Sequence, residues 1–78
     1  MGFEYRIRYT PADRAAWDAF IARLENPIGD GWPAFAVTLA DDGILFCDYG
    51  RSTEAAVAFR RIVDEALVAG TPVVIEEV

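Results

Sequence analysis

Histidine and lysine are both absent from the 78 residues, and cysteine occurs once, as Cys47. Without histidine no side chain ordinarily titrates near neutral pH, so proton-transfer catalysis would need a displaced carboxylate or thiol. Imidazole ligands are missing as well, and Cys47 is the only soft donor, which argues against zinc and most transition metals; no cofactor is expected. One cysteine closes no internal disulfide and asks for no oxidising compartment. All seven cations are arginines, and against thirteen acids they leave a net charge of −6 and a pI near 4.3. Polyanions are bound by clustered cations that release counterions, so nucleic acid is not an expected partner. Long apolar runs are also lacking. The uncharged stretches 31–40 and 66–75 fall well short of the roughly 20 residues that span a bilayer. Charges at Glu4, Arg6 and Arg8 interrupt the N-terminus where a leader would be apolar. These absences predict one cytoplasmic domain over residues 1–78, with no membrane association.

What is present is pattern. Apolar residues make up 54% of the chain, enough for one thin core at this length. Phe3-Glu4-Tyr5-Arg6-Ile7-Arg8-Tyr9 alternates strictly, which predicts a strand with Phe3, Tyr5, Ile7 and Tyr9 inward. Thr10-Pro11 reads as a helix start, with Thr10 as N-cap and Pro11 in the first helical position. Trp17, Phe20, Ile21 and Leu24 then fall at helical spacing, and Asn26-Pro27 ends the helix. Residues 26–33 read as a loop by composition. A second strand is predicted over Ala34–Ala40 and a third over Ile44–Tyr49, joined at Asp41-Asp42-Gly43. Ser52 is the expected N-cap of a second helix whose apolar stripe is Phe59, Ile62, Val63, Ala66 and Leu67. On its outer side Arg60 and Asp64, and Arg61 and Glu65, are i,i+4 partners. Gly70 suits the C-terminal cap, and Pro72–Val78 forms the last strand, with Val73 and Ile75 inward.

The register of the central hairpin decides which side chains face out. A two-residue turn at Asp42-Gly43 would set Val37 against Asp48 and bury a carboxylate. A three-residue loop ending at Gly43 pairs Ala40 with Ile44 and Val37 with Cys47, and places Asp48 on the open side. The second register is the expected one. The resulting β-α-β-β-α-β order is similar to the ferredoxin-like α+β fold. That resemblance implies a two-layer sandwich, with an antiparallel sheet in the order 4-1-3-2 and two helices on one face.

Two surfaces then become candidates. The open sheet face is expected to carry Arg6, Arg8, Ala36, Thr38, Ala40, Ile44, Phe46 and Asp48, with more apolar bulk than a solvated face needs. The second strand lies at the sheet edge without lysine or proline between Ala34 and Ala40, the usual guards against edge pairing. Either surface suits a protein partner, including a second copy, and the negative charge favours a basic one. The alternative is a small anionic ligand held at a rim of Asp30, Trp32, Tyr49, Arg51 and Ser52. The bland reading of that rim has Trp32 closing the bottom of the core. No catalytic residue is expected: Cys47 reads as a small buried hydrophobe, Asp41-Asp42 as turn residues, and Glu76 and Glu77 point to opposite faces. The sequence thus reads as a homodimeric interaction or regulatory module without enzymatic activity.

Overall fold

Strict alternation over Phe3–Arg8 produces β1, the strand against which the rest of the chain assembles. A computed structural model describes residues 3–26, 28–29, 31–50, 52–70 and 72–78, with Ile28 and Gly29 described by backbone alone. After β1 come α1 (Arg14–Ala22), β2 (Ile28–Gly29), β3 (Trp32–Pro33), β4 (Phe35–Ala40), β5 (Gly43–Asp48), α2 (Thr53–Val68) and β6 (Val74–Glu77). The architecture is mixed α+β. Four strands form one antiparallel sheet in the order β4-β5-β1-β6, and β2 pairs with β3 in a separate short ladder. The numbered order differs from the expected 4-1-3-2 because two short strands occupy part of the segment read as a loop.

Both helices begin on side-chain caps. Ser52 accepts the Ala55 N–H at 3.1 Å, as expected. At α1 the cap is Asp13, not Thr10: its Oδ1 accepts the Ala16 N–H at 3.1 Å, and Thr10-Pro11 stays outside the helix. Aspartate caps at least as well as threonine, and here it sits where the chain turns onto the sheet. The helix also stops earlier than Asn26-Pro27, with the Arg23 N–H bonded to the Phe20 carbonyl; Pro27 lies outside the described residues. Gly70 follows α2 with φ 82°, a left-handed conformation that suits glycine.

The hairpin adopts neither register weighed from the sequence. Its turn is Asp41-Asp42, which pairs Ala40 with Gly43, Leu39 with Ile44, Val37 with Phe46 and Phe35 with Asp48. Ile44 and Phe46 therefore point into the core and are almost fully buried, while Leu45 and Cys47 turn outward. The expectation for Ile44, Phe46, Asp48 and Cys47 is corrected accordingly. Burial of Ile44 and Phe46 stabilises by about 1.5–3 kcal/mol each, whereas the expected pairing of Val37 with Cys47 would have buried Leu45 and the smaller Cys47. The carboxylate objection also dissolves. Asp48 lies at the strand end, half-buried, where it accepts the Gly50 N–H at 3.1 Å.

Phe46 organises the core aromatics. It stacks on Phe35 at 5.3 Å and meets the Phe59 edge at 5.4 Å. Phe59 of α2 reaches Tyr5 at 5.3 Å, and Trp17 of α1 reaches Tyr9 at 4.9 Å. Tyr5 and Tyr9 share one side of the β1 line, so both helices cover that side of the sheet. Burial pushes the Tyr9 phenol above its ordinary range, which keeps it neutral. Two helix expectations change. Leu67 is 54% exposed rather than buried, and Arg61 lies over the Phe20 ring, 5.9 Å from its centroid, where it ties α2 to α1.

Gly43 is the closest passage between strands. Its φ is 138°, and a Cβ there would collide with the Ile7 carbonyl oxygen of β1. Gly43→Ala is expected to lose more than about 1 kcal/mol of stability, since the strain adds to the backbone clash. Urea denaturation followed by tryptophan fluorescence measures it, and an unchanged midpoint would show that β1 and β5 can separate at no cost.

Candidate functional site

Side-chain parity sorts the sheet into two faces. Opposite the helices stand Glu4, Arg6 and Arg8 of β1, Ala36, Thr38 and Ala40 of β4, Leu45 and Cys47 of β5, and Val74 and Glu76 of β6. The structure thus brings together Arg6, Arg8, Ala36, Thr38 and Ala40 of the expected face. It removes Ile44, Phe46 and Asp48 and supplies Leu45 and Cys47 instead. The face is divided lengthwise. Charge collects on β1 and β6, where Arg8 and Glu76 approach to 3.4 Å across half-exposed surface, a pair worth little by itself. The β4–β5 half is small and apolar, with Leu45 in register between Arg6 and Thr38. Beside it lies a shallow hollow of about 270 Å³, lined by Arg6, Thr38, Ala40, Asp42 and Leu45 among others.

The β4 edge is less open than its sequence suggests. The Tyr49 N–H bonds to the Ala34 carbonyl at 3.2 Å, which sets the alternation: even-numbered residues of β4 bond to β5, and Phe35, Val37 and Leu39 direct their backbone groups outward. Asn26 takes the first of these. Its Oδ1 accepts the Ala34 and Phe35 N–H groups at 2.9 and 3.2 Å, and its Nδ2 donates to the Phe35 carbonyl at 2.8 Å. Arg14 takes the other end, donating to the Leu39 carbonyl at 3.4 Å while also pairing with Asp41 at 3.1 Å. Among these outward groups, an incoming strand would find Val37 and the Leu39 N–H outside the Asn26 and Arg14 bonds. Sequence reasoning missed both guards, because Arg14 is distant from β4 in the chain, Asn26 reaches it across a loop, and no periodic pattern marks either.

At the rim, Trp32 and Tyr49 come together with ring centroids 6.1 Å apart. Trp32 is 68% exposed and does not close the core. The Ser52 hydroxyl is engaged by its cap bond, and Asp30 and Arg51 lie outside the described residues. A second hollow, about 320 Å³, lies between the end of α1 and the start of α2. It sets Arg23 and Arg61 against Glu25 and Glu54 over Leu24 and Val57. Its two arginines and two glutamates balance, so it carries no net charge to attract an anion. Among the described residues no group of three or more acidic or soft ligands is placed to hold a metal ion, and no helix is long and apolar enough to cross a membrane.

Removing the Asn26 amide leaves two N–H groups and one carbonyl without their partner beside buried Phe35. Asn26→Ala is expected to cost about 1–3 kcal/mol, read as a lower urea midpoint. Asn26→Asp should recover part of that loss relative to wild type as pH falls, since only the protonated carboxyl can donate to the Phe35 carbonyl; equal loss at every pH would refute the donor role. Comparison of the chain with models of protein families, with curated proteins and with solved structures finds no match.

Proposed function

We propose that this chain is a small acidic protein-interaction module, acting without catalysis, that receives a partner on the open sheet face. The observation that carries the reading is the outward placement of Leu45 and Cys47 beside Ala36, Thr38 and Ala40, on the side of the sheet opposite both helices. Small side chains let another backbone approach closely, and Leu45 supplies an apolar anchor. A net charge of −6 steers a basic partner toward the module. Of the two surfaces expected from the sequence, the face is favoured over the β4 edge because Asn26 and Arg14 already claim the ends of that edge. With the short β2–β3 ladder set aside, the pairing of the four longer strands supports a ferredoxin-like two-layer arrangement, an architecture that hosts many unrelated roles.

The single cysteine provides the test, since Cys47 lies on the face itself. A photo-crosslinker attached at Cys47 should give a defined adduct in an extract of the source cells. Leu45→Arg should abolish that adduct, while a helix-side control, Val57→Arg, keeps it. An adduct indifferent to Leu45→Arg, or none at all, would overturn the reading.

The exposed Trp32–Tyr49 pair supports a second reading, a sensor for small anionic ligands in which the aromatic pair forms one wall. Tryptophan fluorescence checks it: an anion or metabolite that binds should shift the emission, and Arg51→Ala and Tyr49→Ala should each remove the shift. A spectrum that stays constant across phosphorylated and carboxylated metabolites would exclude it.

A further inference from the structure

The other edge of the sheet is β6, and its surroundings differ from those of β4. The Val78 N–H bonds to the Glu4 carbonyl at 2.9 Å, so the even-numbered residues of this strand face β1. Ile75 and Glu77 therefore direct their N–H and C=O groups away from the sheet. Side chains along this margin are exposed, three of them apolar and two, Glu76 and Glu77, acidic. Val74 is 53%, Ile75 46% and Val78 66% accessible. Ile75 stands opposite Ile7 in the β1–β6 register, on the helix side. On α2 the flank turned away from Arg61 and α1 carries Val63 and Leu67, and Leu67 is exposed. On the helix side of this edge, exposed Ile75 and Leu67 present apolar groups from both the strand and the helix.

The geometry points to a second copy of this chain as the occupant, joined by antiparallel pairing of β6 with its equivalent about a two-fold axis at Ile75. Strand 73–77 is self-complementary in that register. Ile75 meets Ile75 of the second copy, Val74 faces Glu76, and Val73 faces Glu77, so no carboxylate stands opposite another. Moving the axis one residue toward the C-terminus would set Glu76 against Glu76, a like-charge pair that destabilises a ladder. In the Ile75 register the helix-side neighbours Val63 and Leu67 of each copy add apolar area beyond the strands, which a pair of four-residue strands needs to form a specific interface. An axis perpendicular to the sheet also keeps both open faces on one side of an eight-stranded sheet. The inference does not rest on the open-face reading; it would double that surface.

Sedimentation over a range of protein concentrations should show a dimer, and added salt should tighten it because each copy carries −6. Ile75→Pro removes an outward N–H that β1 does not use, so the fold should survive, as judged by circular dichroism, while association weakens about tenfold or more. Independently, Ile75→Cys in a Cys47→Ser background should form a disulfide-linked dimer under mild oxidation, because residues paired in this way lie about 5.5 Å apart between Cα atoms. Glu77→Cys in the same background should not. Leu45→Arg leaves this association intact. A monomer at all concentrations, a dimer untouched by Ile75→Pro, or failure of the Ile75→Cys variant to cross-link would each overturn the proposal. A dimer lost only with Leu45→Arg would place the contact on the open face and overturn it equally.

Discussion

Where Gly43 crosses Ile7, β1 and β5 run so close that a methyl group would strike a carbonyl oxygen. That passage sets the level of β5 against β1, and with it the position of every side chain on the central pair. The Asp42 carbonyl, next to the crossing, accepts the Tyr9 N–H and extends the ladder past the end of β1. Once Gly43 is opposite Arg8, Ile44 must face Ile7 and Phe46 must face Tyr5. The aromatic core from Phe35 through Phe46 to Phe59 and Tyr5 follows from that alignment.

The same alignment shapes the candidate surfaces. Turning Ile44 and Phe46 inward turns Leu45 and Cys47 outward, and the face that remains is gentle in relief and divided between a charged and an apolar half. The edges diverge for a different reason. At β4, a loop amide and a helix guanidinium reach over and take backbone groups that another strand would need. At β6 the margin stays exposed, and the restraint is the strand's own pair of acids, Glu76 and Glu77. The β4 edge is thus covered, while at β6 the acids limit which registers another strand can take.

Much of this was legible in the residues. Alternation marked β1 because every second position had to be apolar for a half-buried strand, and Ser52 marked α2 because a hydroxyl before a helix satisfies an orphan N–H. Trp17 and Ile62 announced themselves as core by helical spacing. The hairpin misled for a physical reason. Ile44, Leu45, Phe46 and Cys47 are consecutive apolar residues, so periodicity does not say which pair is inward, and the one local discriminator, the Asp48 carboxylate, lies at the strand end and bonds the Gly50 N–H. Trp32 misled in the opposite sense: size and hydrophobicity suggested burial, yet the short β2–β3 ladder holds it outside against Tyr49.

Sequence alone determined the number of helices, the placement of the four longer strands, the acidic surface and the lack of imidazole chemistry, since each depends on composition or on neighbours a few residues away. Tertiary structure decided the hairpin register, the guarding of β4 by Asn26 and Arg14, and the openness of β6. Those outcomes depend on groups beyond helical or strand spacing, Gly43 with Ile7 and Asn26 with Phe35, whose meeting is a property of how the chain packs rather than of any periodic pattern.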